Sequence, residues 1–145
     1  MDQTRDPGIT IEKVNLIECT ARVLDPDARL AFNLALVELT RSEEGDLLVV
    51  AAKFDLMHEI EKPACLLQCS FVAAYARTEG SNMQWAEFSD AMAVMHMIPY
   101  VREFVSSVTL RMPIRELILP PTNVHFLLSR YHSRQSDKAA PQAAG

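Results

Sequence analysis

The sequence predicts an α+β fold: a four-stranded antiparallel sheet followed by two helices. Three observations carry that reading. Over the first half, apolar and polar residues alternate with a period of two in four stretches separated by short polar breaks. The second half changes to apolar steps of three and four residues, the stripe of a helix. Prolines at positions 99, 113, 120 and 121 punctuate that second half as helix starts and stops. Short connections between the strands favour an antiparallel meander, and such a sheet needs a cover on one face that the helices supply.

Residues 1–8 read as a flexible N-terminal arm. Ile9, Ile11, Ile17, Cys19, Ala21 and Val23 then recur at even spacing, with Glu12, Glu18, Thr20 and Arg22 between them, which predicts a half-buried first strand. Lys13 and Asn15 interrupt its apolar face and point to a bulge or an exposed stretch. Asp25-Pro26-Asp27 is a loop signal. Leu30, Phe32, Leu34 and Leu36 alternate with Ala31, Asn33 and Ala35 as strand two, where the helix-forming Ala and Leu leave helix as the competing reading. Glu43-Glu44-Gly45-Asp46 marks a hairpin. Strand three covers 47–60, with Val50, Ala52, Phe54, Leu56, His58 and Ile60 on one face. After Lys62-Pro63, strand four covers 64–76, with Cys65, Leu67, Cys69, Phe71, Ala73 and Tyr75 on one face.

Residues 85–98 are rich in Met, Ala and aromatics with mixed periodicity, and read as a loop or an irregular helix. Pro99 suits the first position of a helix, where its missing N–H is not needed. Ile98, Val101, Val105, Val108 and Met112 form one apolar stripe, and Pro113 ends it. After Pro120-Pro121, Thr122 or Asn123 caps a last helix with Val124, Leu127, Leu128 and Tyr131 as its apolar residues. From His132 the composition turns to Ser, Gln, Lys, Ala and Pro, which predicts a disordered tail over 132–145. One domain, 9–131, remains between arm and tail.

Composition excludes several classes of function. The chain has 145 residues, is 49% hydrophobic and carries a formal net charge of -5. Its basic residues do not cluster, so the footprint of a nucleic-acid binder is missing. The start lacks the basic end and apolar run of a signal peptide, and no apolar run reaches the roughly 18 residues that span a membrane. A soluble, cytoplasmic protein is the expectation. Three cysteines cannot all pair within one chain, which fits a reducing compartment. The four glycines include no phosphate-cradling loop.

No residues are assigned to catalysis, to metal or to a cofactor. Cys65-x-x-x-Cys69 on a strand spans about 13 Å, too far for two ligands of one ion. His58-Glu59 lacks the second His of a zinc-protease helix. His96, His125 and His132 have no acidic or cysteine partner at ligand spacing. Ser106-Ser107 lies within a helical stripe, without a glycine-bounded elbow.

Methionine usage is more informative. Met83, Met92, Met95, Met97 and Met112 fall close together beside Trp85, Phe88 and Tyr100. Each alone reads as a core gap-filler. As a cluster beside a loop they suit an adaptable apolar groove, because Met is flexible and polarisable. Leu47, Val49 and Met57 oppose Val50, Phe54 and Leu56, so the sheet is apolar on both faces in places. Two helices cannot cover both, and an oligomer with an interface on a sheet edge or face follows.

Pro99-Tyr100-x-Arg102-Glu103 and Leu119-Pro120-Pro121-x-Asn123-Val124, in this order and spacing, resemble the C-terminal half of the SecB protein-export chaperones. The likeness covers residues 9–131 and rests in the strands on order and length. It implies a homotetramer, a dimer of dimers, that holds non-native polypeptide clients in long apolar grooves. By the same resemblance Leu30, Phe32 and Leu34 of strand two line that groove, with Met92, Met95 and Tyr100. Phe71, Tyr75 and Met97 complete the candidate client-binding set. The chain also departs from the family. Positions aligned with the acidic contacts to the motor ATPase SecA carry Thr20, Leu24 and Gln68. Ser70-Phe71 and Val72-Ala73 replace the usual Gln and Gly pairs of strand four, and the tail lacks acidic character. These departures argue against SecA as a partner and leave client holding untouched.

The expected function is therefore an ATP-independent holdase in protein export or transport. The first rival is a dedicated chaperone of one client, such as an antitoxin of a toxin–antitoxin pair. From other classes come a small-ligand enzyme or binding domain, which needs a closed pocket with converging polar groups, and a purely structural oligomer subunit.

Overall fold

The computed structural model describes residues 8–28, 32–58, 63–114, 119 and 122–139. Four strands come first: β1 (Ile9–Val23), β2 (Phe32–Glu44), β3 (Leu47–His58) and β4 (Cys65–Arg77). A single 3-10 turn, Trp85–Glu87, leads into helix α1 (Asp90–Thr109), and helix α2 (Val124–Ala139) follows. Four antiparallel strands and two helices are the architecture that the alternation and the later stripes predict.

Strand order refines it. The sheet runs β1-β4-β3-β2, so β2, β3 and β4 form a meander while β1 lies beside β4 instead of β2. A simple meander through all four strands is thus corrected. Period-two alternation makes a strand but does not choose its neighbour. The segment after β1 is not a tight hairpin; the Leu24 and Asp25 N–H groups donate to the Ala64 carbonyl at 2.8 and 3.0 Å, tying the end of β1 to the start of β4. The β2–β3 hairpin is tight: Glu44 faces Leu47, and Gly45 takes φ 62° at the first central position, where a type II′ turn requires it. Bulges fall between Ile11 and Lys13, between Leu16 and Glu18, and in β2 between Leu36 and Glu38. The first of these is where Lys13 interrupts the apolar pattern.

One face of the sheet carries the core. Leu48, Val50, Ala52, Phe54 and Leu56 of β3 and Cys65, Leu67, Cys69, Phe71, Ala73 and Tyr75 of β4 are buried there against α1. The opposite face, with Leu47, Val49 and Ala51 of β3 and Leu66, Val72 and Ala74 of β4, is half-buried. β1 departs from the half-buried expectation, because almost all of it is exposed. As an edge strand it has a neighbour on one side only, and α1 lies over β3 and β4.

α1 begins nine residues earlier than Pro99 suggests. Ser89 is its N-cap, with Oγ accepting from the Met92 N–H at 3.2 Å, and Pro99 lies inside the helix. Ala93, Val94, Met97, Ile98, Val101, Phe104 and Val105 form its buried stripe. Pro99 sits on the exposed side, so its ring meets no core neighbour and only the bond to the Met95 carbonyl is lost. The helix ends at Thr109, short of Met112, where the buried Thr109 hydroxyl donates to the Val105 carbonyl at 2.8 Å. α2 is capped by Asn123, whose Oδ1 accepts from the Phe126 N–H at 3.1 Å. It continues past His132 to Ala139, through residues assigned above to a disordered tail. Residues 1–7 of the expected arm lie outside the described residues.

Two arginines anchor the entry to α1. Arg41 on β2 donates to the Phe88 carbonyl at 2.8 Å and to the Trp85 carbonyl at 2.7 Å, and pairs with Asp90 at 3.1 Å. Arg77 on β4 donates to the Met83 carbonyl at 2.7 Å, with its guanidinium 4.6 Å from the Trp85 ring centre.

Candidate client-binding surfaces

β2 is the second free edge of the sheet, and α2 straps along it. The Tyr131 hydroxyl donates to the Leu39 carbonyl at 3.4 Å, and Arg134 donates to the Leu36 carbonyl. Covering an exposed edge in this way protects it from pairing with other chains. Among the described residues the cover is incomplete toward the start of β2. There a cavity of about 380 Å³ opens, with Phe32 and Leu34 on its strand wall, Phe126 and Leu127 on its helical wall and Leu119, from the segment before α2, beside them. Arg130 and Arg134 form its polar rim. The Arg130 guanidinium lies 5.0 Å from the Phe126 ring centre, a cation–π stack that holds both side chains at the mouth. Phe126 is 55% exposed. Apolar walls with a cationic rim suit an extended peptide segment carrying bulky apolar side chains, its backbone carbonyls or carboxylates meeting the arginines.

A second apolar surface lies at the other edge. On β1, Ile11, Leu16 and Ile17 are exposed, Ile17 at 59%. Ile11 faces Tyr75 and Leu16 faces Phe71 across the β1–β4 ladder. The Tyr75 ring lies 5.9 Å from His96, and the Phe71 ring 6.3 Å from Tyr100, so this strip continues onto the flank of α1. Met95 and Tyr100 are exposed beside it, at 54% and 45%.

The nine candidate residues are thus divided. Phe32 and Leu34 line the β2–α2 cavity, and Met95 and Tyr100 belong to the β1–α1 strip. These are opposite edges of the sheet, about 14 Å apart at ordinary strand spacing. Met92 is half-buried against the core. Phe71 is nearly buried, and Tyr75 and Met97 are fully buried between sheet and α1, where they present no surface. Leu30 lies outside the described residues. Sequence reasoning missed Leu119, Phe126, Arg130 and Arg134 as wall and rim. Their signal was the spacing of four residues from Phe126 to Arg130 to Arg134, which aligns them on one side of α2.

Burial shifts several titratable groups, and none of these lines the cavity. Burial pushes the Tyr75 phenol up to about 12, with Tyr100 adding to the shift. Burial lowers His96, which packs against Tyr75 and Phe88. Burial likewise raises Cys65. All three are neutral near pH 7 and sit in the core rather than around the cavity. Among the described residues no group of three or more His, Cys, Asp or Glu side chains is placed to hold a metal ion. No helix among them is long and apolar enough to cross a membrane.

No protein-family model matches this chain. No curated protein matches it either. Among solved structures it is similar to the SecB-like chaperone of Mycobacterium tuberculosis in complex with a ChAD peptide from the HigA1 antitoxin. That match has a TM-score of 0.65 and 18% identity, and covers 79% of this chain and 90% of the other. A protein of unknown function from Streptococcus agalactiae aligns at a TM-score of 0.46 and 10% identity, over 78% of this chain and 97% of the other. The likeness to the mycobacterial protein is one of fold: a four-stranded antiparallel sheet with two helices, as in a SecB-like chaperone.

Proposed function

We propose that this chain is a cytoplasmic, ATP-independent holdase that binds extended apolar segments of non-native polypeptides through the β2–α2 cavity. The observation that carries the reading is the cavity itself, with Phe32, Leu34, Leu119, Phe126 and Leu127 as apolar walls and Arg130 and Arg134 at the rim. Its fold is shared with a chaperone solved in complex with a peptide, which favours a polypeptide occupant over a small ligand. Burial of client side chains at about 25 cal/mol per Å² supplies the attraction, and ordering the client offsets much of it. Single sites are therefore weak, and several sites on one oligomer raise the affinity. The strip of Ile11, Leu16, Ile17 and Tyr100 supports self-association, with a dimer of dimers as the assembly.

A second reading has its own support. The peptide in the similar mycobacterial chaperone comes from an antitoxin, which favours service to one such client over general export. Thr20 and Gln68 face one another across the β1–β4 ladder, and Leu24 follows them, exposed. None of these three positions carries a carboxylate, and Asp55, which faces Gln68 from β3, is engaged by the Gln68 amide at 3.4 Å; this supports a role without SecA.

Fluorescence anisotropy with a panel of unrelated apolar–aromatic peptides and one antitoxin C-terminal segment separates the two readings. General holding predicts similar affinities across the panel, all weakened by Phe126→Asp by about tenfold, equal to 1.4 kcal/mol. Binding of the antitoxin segment alone supports the dedicated role. Binding unchanged by Phe126→Asp places clients elsewhere and overturns the cavity assignment.

A further inference from the structure

Three free thiols are present, Cys19 exposed and Cys65 and Cys69 buried. Cys19 and Cys69 are direct partners in the β1–β4 ladder. The register is unbroken around them on the distal side of the bulge, with Thr20 opposite Gln68 and Ala21 opposite Leu67. Directly opposed residues of antiparallel strands share a face of the sheet. Their Cα atoms are about 4.5 or 5.5 Å apart, depending on the pair type, and both values fall inside the window a disulfide tolerates. Cys65 instead faces Val23, and it lies four residues along β4 from Cys69, about 13 Å away. The topology therefore permits a single pairing within the chain.

We propose that Cys19 and Cys69 form a reversible cross-strand disulfide that staples the edge strand β1 to β4 under oxidising conditions. Cys19 is the attacking thiol, because it is the exposed one. As a thiolate it attacks a low-molecular-weight disulfide, forms a mixed disulfide and releases one thiolate. Cys69 then loses its proton to solvent and attacks the Cys19 sulfur, displacing the second small thiolate. Two protein thiols are oxidised and one small disulfide is reduced to two thiols. Burial pushes the Cys69 thiol up to about 12, with Cys19 and the Asp55 carboxylate adding to the shift. The second step is accordingly the slow one, and it accelerates as pH rises. Cross-strand bonds of this kind, open to solvent on one side, are the readily reduced ones. The consequence is a β1 whose register cannot slip and whose exposed thiol is removed from the apolar strip.

The test uses the intact protein, incubated with oxidised glutathione, quenched by alkylation and mapped by mass spectrometry without reduction. The expected product lacks two hydrogens and carries one intramolecular link from the Cys19 peptide to the peptide that holds Cys65 and Cys69. Cys65→Ala retains the link and Cys19→Ser abolishes it. The linked form melts higher by about 10 °C and returns to the starting value with dithiothreitol. Loss of the link in Cys65→Ala overturns the proposal. So does an end product glutathionylated at Cys19 alone, or a link only between two copies of the chain.

Discussion

The packing of His96 ties stability to pH on the acid side of neutrality. The imidazole packs beside the paired Tyr75 and Phe88 rings, and burial lowers its pKa from the ordinary 6.5. The unfolded chain then binds a proton that the folded chain refuses, so stability falls as pH drops below about 6.5 and levels off beneath the lowered folded value. Thermal melts of wild type and His96→Gln between about pH 5 and 7.5 should show this slope in the wild type and a smaller one in the variant. Parallel slopes would place the titration in another group. Arg41 matters through geometry: it holds two carbonyls of the connector before α1. Arg41→Ala should cost about 2 kcal/mol by chemical denaturation, because both carbonyls lose a charged donor. The partly exposed pair with Asp90 adds little to that. Arg41→Lys should not rescue, since an ammonium cannot span both carbonyls in the plane of a fork. None of this was legible in the sequence, where Arg41 reads as a solvated charge on a strand and its partners lie 44 to 49 residues away.

At the scale of elements, local pattern and tertiary placement part company. The strands were legible because alternation is a property of the strand itself, and β3 and β4 follow it residue by residue. Their order was not, because nothing in the β1 sequence distinguishes β4 from β2 as a neighbour. The start of α1 was misread for a specific reason. Pro99 is well suited to open a helix, yet it is also tolerated inside one where its face meets solvent. The signal that would have placed the start was Ser89 followed by a residue stripe at Ala93, Val94 and Met97. Two substitutions examine this helix. Ser89→Ala should destabilise by about 1 kcal/mol through loss of the cap. Pro99→Ala should raise the melting temperature, because it restores an N–H to the Met95 carbonyl in an otherwise regular helix. A fall in melting temperature with Pro99→Ala would mean that the proline ring makes a contact the exposed face does not reveal.

Across the whole molecule the two sheet edges carry different apolar surfaces. The β2 edge is strapped by α2 and holds the cavity; among the described residues the β1 edge is uncovered and continues onto α1. The eight described residues of the expected groove divide between them and the core because faces and edges of a sheet look alike to a period-two pattern. The strip at β1 fits a second copy of the chain. Ile17→Lys, on a residue outside the cavity, should shift sedimentation toward smaller species, whereas an unchanged distribution would move the interface elsewhere. The central claim is that the β2–α2 cavity holds non-native chains. It is tested most directly by light scattering from a chemically unfolded, unrelated protein diluted into buffer without ATP, with wild type or Phe126→Asp present. Phe126 is exposed, so the variant should keep its fold, which circular dichroism checks on the same sample. The account predicts suppression of scattering at near-stoichiometric wild type and its loss in the variant. Equal suppression by both proteins, or none by a well-folded wild type, would contradict it.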